Sequence, residues 1–182
     1  MATRSHSHSR GFSLLEASAA VSLLLCLAAI AVPTFLREVR SSRLVEPVAG
    51  LDALGASAVA YATAHTGTAL TLAFPPSVGL TPSSPPHGHL AADPPGTWND
   101  PTWGLLAFPK AGTGLAFADG VPHGFAFAFD SNLGVSKSTF VAHAHADLDG
   151  DGALSTFEIR GYATAAEGAV VVPGMYVESE LE

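Results

Sequence analysis

From Phe12 to Leu36 the chain runs for 25 residues with a single charge in it, Glu16. As a helix rising about 1.5 Å per residue, such a run reaches roughly 37 Å. That exceeds the ~30 Å hydrocarbon core that about 20 apolar residues cross, so the sequence predicts a membrane-spanning helix over residues 12–36. A short polar stretch, Met1 to Gly11 with Arg4 and Arg10, precedes it, and Arg37, Arg40 and Arg43 follow. Basic residues thus flank both ends, and charge alone does not orient the span. Three readings fit the run: a plain anchor, a secretory signal peptide cut after Ala31 in Ala29-Ile30-Ala31, or a short leader cut after Gly11. Glu16 separates them. A carboxylate within a membrane helix costs about 2.5–3.5 kcal/mol on insertion scales, and neither an anchor nor a signal peptide has a use for that cost.

The third reading has a family behind it. Gly11-Phe12-Ser13-Leu14-Leu15-Glu16, with Pro33 further along the same run, resembles the N-terminal motif of type IV prepilins and of the pseudopilins of type II secretion. The resemblance implies cleavage between Gly11 and Phe12 by a prepilin peptidase and methylation of the new amine. It also implies that Glu16 of one subunit pairs with the Phe12 amine of a neighbour during polymerisation. Such a pair attracts far more strongly in a low-dielectric helix bundle than in water. The implied protein is a structural subunit with other pilin or pseudopilin subunits as partners. It would sit in the inner membrane as a single-pass protein, then in a cell-surface pilus or a periplasmic pseudopilus. The alternative is a secreted calcium-binding domain released by signal peptidase after Ala31.

Beyond the span, Leu44, Val48, Leu51, Leu54, Ala58 and Tyr61 recur at steps of three or four and predict an amphipathic continuation over residues 37–65. Pro33 and Pro47 are expected to bend or break it. Residues 66–182 read as a β-rich head. Its Pro-rich part, 75–101, is expected to be mostly irregular loop, with Trp98 and Trp103 anchoring it to the domain. Strand patterns follow: the short apolar run Gly104 to Phe108, Phe125, Phe127 and Phe129 alternating with alanines, then 138–146, 155–162 and 169–172. The fold class is α+β, a long N-terminal helix followed by an antiparallel sheet of four or five strands.

Residues 147–158, Asp-Leu-Asp-Gly-Asp-Gly-Ala-Leu-Ser-Thr-Phe-Glu, match the twelve-residue EF-hand loop. Asp147, Asp149 and Asp151 stand at positions one, three and five, and Gly152 at the tight turn. Ala153 offers a carbonyl, Ser155 an oxygen and Glu158 a bidentate carboxylate. Calcium takes six to eight hard oxygens, and this spacing wraps them around one point. The flanks read as strands rather than helices, so the loop is expected to cap a β-hairpin, which puts the reach of Glu158 in question. The expected cofactor is a structural calcium ion.

The remaining chemistry is sparse. His143 and His145 share a strand face, and His87 and His89 sit close together in a loop, as solvent-facing histidines or a transition-metal site. No Ser-His-Asp arrangement, phosphate-binding glycine loop or cysteine nucleophile outside the apolar run supports an enzyme; the one cysteine is Cys26. A net charge of −8 without a basic run excludes nucleic acid as the expected partner.

Overall fold

The computed structural model describes residues 13–65, 74–109 and 120–181. The chain divides into two compact units, residues 1–39 and 40–182. Helix α1, Leu14–Ser42, opens on a Ser-x-x-Glu capping box. The Ser13 backbone N–H and hydroxyl both donate to Glu16 Oε2 at 2.9 Å, and the Glu16 N–H returns a bond to Ser13 Oγ at 3.2 Å. None of its residues is buried: Leu14 is 90% exposed and Ile30 71%. The helix is long and apolar enough to cross a membrane.

Pro33 does not end α1. The break falls at Arg43–Leu44, where the N–H groups of Arg43 and Leu44 bond back three residues to Arg40 and Ser41. Pro47 accounts for this position. Its ring lacks an N–H and crowds the carbonyl four residues earlier, that of Arg43. Placed in the first turn of α2, Val45–His65, it has no intrahelical donor to lose.

The head is an antiparallel sheet of six strands in the order β1-β2-β3-β4-β5, with β6 sharing the outer edge of β4. The strands are Val78–Thr81, Ala126–Asn132, Lys137–Ala146, Ser155–Thr164, Gly168–Val171 and Tyr176–Glu178. β3 and β4 form the central hairpin, pairing from Lys137 with Thr164 to Ala146 with Ser155. Along both, alternate residues are buried (Phe140, Ala142, Ala144; Phe157, Ile159), the period-two signature of a sheet with one covered face.

Helix α2 covers that face. Its buried stripe is Pro47, Gly50, Leu51, Leu54, Gly55, Ala58 and Ala62, which keeps the expected Leu51, Leu54 and Ala58 but widens toward small residues, while Val48 is exposed and Tyr61 stacks on His65. Small residues set the stripe because they let the backbone approach closely. A Cβ on Gly50 would press into the Phe127 ring, and one on Gly55 would lie 2.9 Å from Ile159 Cδ1.

Two segments differ from expectation. Residues 104–108 do not form a strand; Pro101–Leu105 is a short helix, α3. Asp100 caps it by accepting the Thr102 N–H at 2.8 Å, and Pro101 supplies a preset φ at the first position. That local start signal outweighs the apolar run behind it. The Pro-rich stretch contains β1, which pairs with β2, and among the described residues six strands stand where four or five were expected. Trp103 does anchor the stretch: it is fully buried, and its Nε1 donates to Thr81 Oγ1 at 3.1 Å.

Candidate functional site

The hairpin turn between β3 and β4 is the Asp147–Leu154 part of the calcium-type loop, so strands rather than helices flank it. Asp147 is buried at 1% exposure. Its Oδ1 accepts the Gly150 N–H at 2.6 Å, and its Oδ2 accepts the Gly152 N–H at 3.1 Å and faces His87 Nδ1 at 2.7 Å. Burial pushes the Asp147 carboxyl up, but His87 and the two backbone donors outweigh it and hold the group below its usual range. Asp149 and Asp151 form successive turns, accepting from the N–H groups of Asp151 (3.1 Å) and Ala153 (2.7 Å). Gly152 has φ +94°, a conformation that favours glycine.

The three aspartates converge: one carboxylate oxygen from each lies within 4.8 Å of the others. Oxygens bound to one calcium ion at 2.3–2.6 Å stand at most about 5 Å apart, so this separation fits a shared hard cation. Two protein groups already face the cluster, the His87 ring at Asp147 and the Arg40 guanidinium at Asp149 (Nη1 to Oδ2, 3.4 Å).

The other expected ligands are placed differently. Glu158 is the fourth residue of β4 and engages Arg160 and, at 3.6 Å, His143 Nδ1. It is not in the aspartate cluster, because an extended exit carries it along the sheet instead of folding it back over the loop. Ser155 is buried at the first position of β4, opposite Ala146. Ala153 is exposed beside the aspartates.

His143 and His145 share a sheet face with their rings stacked 5.9 Å apart. His143 also lies 3.3 Å from Asp130 Oδ2. Burial, then the neighbouring His143, holds the His145 imidazole below its usual value. Among the described residues, the aspartate trio is the only group of three or more His, Cys, Asp or Glu that converges in this way. Gly11 and Phe12 lie outside the described residues; Glu16 is in the first turn of α1.

The docking of the Pro-rich segment onto the loop was not legible in the sequence. His87 bridges to Asp147, the Gly88 N–H donates to the Asp147 carbonyl at 2.7 Å, and Gly88 packs on the backbone of Asp149 and Gly150. The one available signal is glycine itself: a Cβ on Gly88 would stand 3.3 Å from that backbone. No protein-family model matches the chain, and neither a curated protein nor a solved structure matches it.

Proposed function

We propose that the protein is a pilin-like structural subunit, anchored and polymerised through α1, with a head stiffened by a cation at the aspartate loop. The observation that carries the reading is α1 itself: an apolar helix with no buried residue and one carboxylate near its N-terminal end. So much apolar surface needs lipid or other helices around it, and a filament built by packing these helices supplies both in turn. Glu16 then gives the assembly its register through the Phe12 amine released by cleavage after Gly11. The converging aspartates support a hard cation, with calcium the best match to an all-oxygen set of this spacing. Asp147, Asp149 and Asp151 would hold it, and its work would be structural: neutralising three carboxylates and pinning the β3–β4 turn without a disulfide.

The test is the N-terminal mass of the mature protein from its native host. A chain beginning at Phe12, heavier by one methyl group, supports the subunit reading. A chain beginning at Val32 overturns it and leaves a secreted cation-binding domain.

A further inference from the structure

Helix α2 covers one face of the sheet, and the opposite face carries a donor set that neither the helix anchor nor the aspartate loop uses. His143 and His145 stand two residues apart on β3, so both side chains project to this face, away from the buried Ala142, Ala144 and Ala146. Across the ladder Glu158 pairs with His143 and Thr156 with His145. Asp130 on β2 pairs with Val141, the neighbouring β3 residue on the same face.

Both nitrogens of His143 face carboxylates: Nδ1 lies 3.6 Å from Glu158 Oε2, and Nε2 lies 3.3 Å from Asp130 Oδ2. The first separation is longer than the ~2.7–3.2 Å of an N–H···O hydrogen bond. It is close to the roughly 3.3 Å that separates two donor atoms on one tetrahedral ion with bonds of about 2.0–2.1 Å. Arg160 Nε takes Glu158 Oε1, which leaves Oε2 as the oxygen turned toward the histidine. His145 Nδ1 is engaged by the Thr156 hydroxyl at 3.0 Å. Its ring lies nearly parallel to that of His143, at 11° and 5.9 Å between centroids.

Donor chemistry sets the ligand class. Calcium seeks oxygens alone, whereas two imidazoles with one carboxylate suit zinc or copper. A metal-bound histidine gives its other ring N–H to a carboxylate or another oxygen, which fixes tautomer and orientation. Asp130 stands at that nitrogen of His143, and the Thr156 hydroxyl does the same for His145. We infer that His143 Nδ1, His145 Nε2 and Glu158 Oε2 bind one borderline divalent ion, zinc or copper, on the open face of the β3–β4 hairpin, with Asp130 as a positioning residue. The rings are parallel rather than convergent, so closure onto the ion takes a turn of the His145 side chain. Strand residues two apart stand about 6.5 Å from each other, a span that two imidazoles leaning together close through the ion. Three protein ligands leave a fourth position for water or for a donor from a neighbouring molecule.

The test uses the full chain in detergent micelles without an affinity tag. His6→Ala and His8→Ala remove the competing pair near the N-terminus, and excess calcium keeps the aspartate loop from being the site that is read. Calorimetry should show one zinc ion bound per chain. His143→Ala and Glu158→Gln should each weaken binding by about tenfold or more, and Asp130→Asn by about ten- to a hundredfold. Copper bound to the native chain should show coupling to two imidazole nitrogens in its paramagnetic resonance spectrum, still two in Asp130→Asn and one in His145→Ala. No zinc uptake in excess calcium, native affinity in His143→Ala, or a copper spectrum without imidazole nitrogen would each overturn the site. If His143→Ala does not fold, Glu158→Gln and the copper spectrum of the native chain decide. The result is independent of the cation proposed for Asp147, Asp149 and Asp151, none of which is a ligand here.

Discussion

Replacing Glu16 by glutamine or by alanine separates two jobs that one carboxylate can do. In the structure Glu16 closes a capping box, with Oε2 taking both the N–H and the hydroxyl of Ser13. Glutamine retains an oxygen that reaches the same donors and is itself a capping-box residue. Alanine removes the reach-back to Ser13 but leaves the Ser13 hydroxyl able to accept the residue-16 N–H, so only one half of the capping box is lost. Charge partitions the other way. Both substitutions relieve the membrane of an ionised carboxylate, about 2.5–3.5 kcal/mol at a helix centre and less toward an interface. Both also delete any ion pair with a neighbouring amine. If Glu16 sets the register between subunits, Glu16→Gln should be processed and inserted normally but incorporated into filaments as poorly as Glu16→Ala. If Glu16 only caps α1, Glu16→Gln should match the native chain and Glu16→Ala alone should be impaired, by the modest factor that a frayed first turn explains. The assay is the fraction of subunit recovered in sheared filaments against the membrane pool, in the native host, with N-terminal masses confirming equal cleavage. Normal incorporation of Glu16→Gln would refute the register role.

Further consequences follow from the head. Calcium at ten times its dissociation constant should stabilise the native chain by about 1.4 kcal/mol, seen as a higher melting temperature. Asp149→Ala with Asp151→Ala should abolish that gain while leaving the melt in chelator close to native, and a native melt indifferent to calcium would sink the cation site. Gly50→Ala should destabilise the head by about 1–3 kcal/mol, because the new methyl meets the Phe127 ring in a packed core; an unchanged denaturation midpoint would show that α2 does not sit that close. For pH, the Asp147 carboxyl is held below its ordinary 3.8, so its contribution is complete above that value and is lost as pH falls through the lowered one. In chelator, the native head should therefore lose stability below about pH 4 more steeply than Asp147→Asn does, and parallel melting curves down to pH 2 would contradict the hydrogen-bonded role of this carboxylate.

What could be read from the sequence was what local periodicity encodes. The apolar run, the phenylalanine alternation before Asp130 and the ten-residue alternations of β3 and β4 each carry their own period. The aspartates converge because they lie within five residues of one another, so one turn brings them together. The errors arose where a local start signal competed with an apolar pattern, as at Asp100-Pro101, or where small residues decided the packing. The stripe of α2 is one such case: a hydrophobicity count favours Val48 and Tyr61, yet the sheet approaches along Gly50 and Gly55. Ser13-Leu14-Leu15-Glu16 differs again: the capping-box spacing is present in the sequence, and the one carboxylate both carries a charge and reaches back to Ser13.

The Asp93–His123–Glu46 cluster marks the limit of such reading. Asp93 lies 30 residues from its histidine, and Glu46 reaches backbone N–H groups 78 and 79 residues away. No spacing rule connects them, and each alone looks like an ordinary polar residue beside a proline: Glu46 before Pro47, Asp93 before Pro94, His123 after Pro122. Asp93 precedes Pro94, which biases it away from helical geometry, and Pro47 loses no backbone hydrogen bond in the first turn of α2, where Glu46 meets the N–H groups of Gly124 and Phe125. Burial requires each of these polar groups to find a partner. The same economy explains why the cluster sits at the junction of helix, Pro-rich segment and sheet: it satisfies the backbone donors that lead into β2, ahead of the first residue that the β3 ladder can pair.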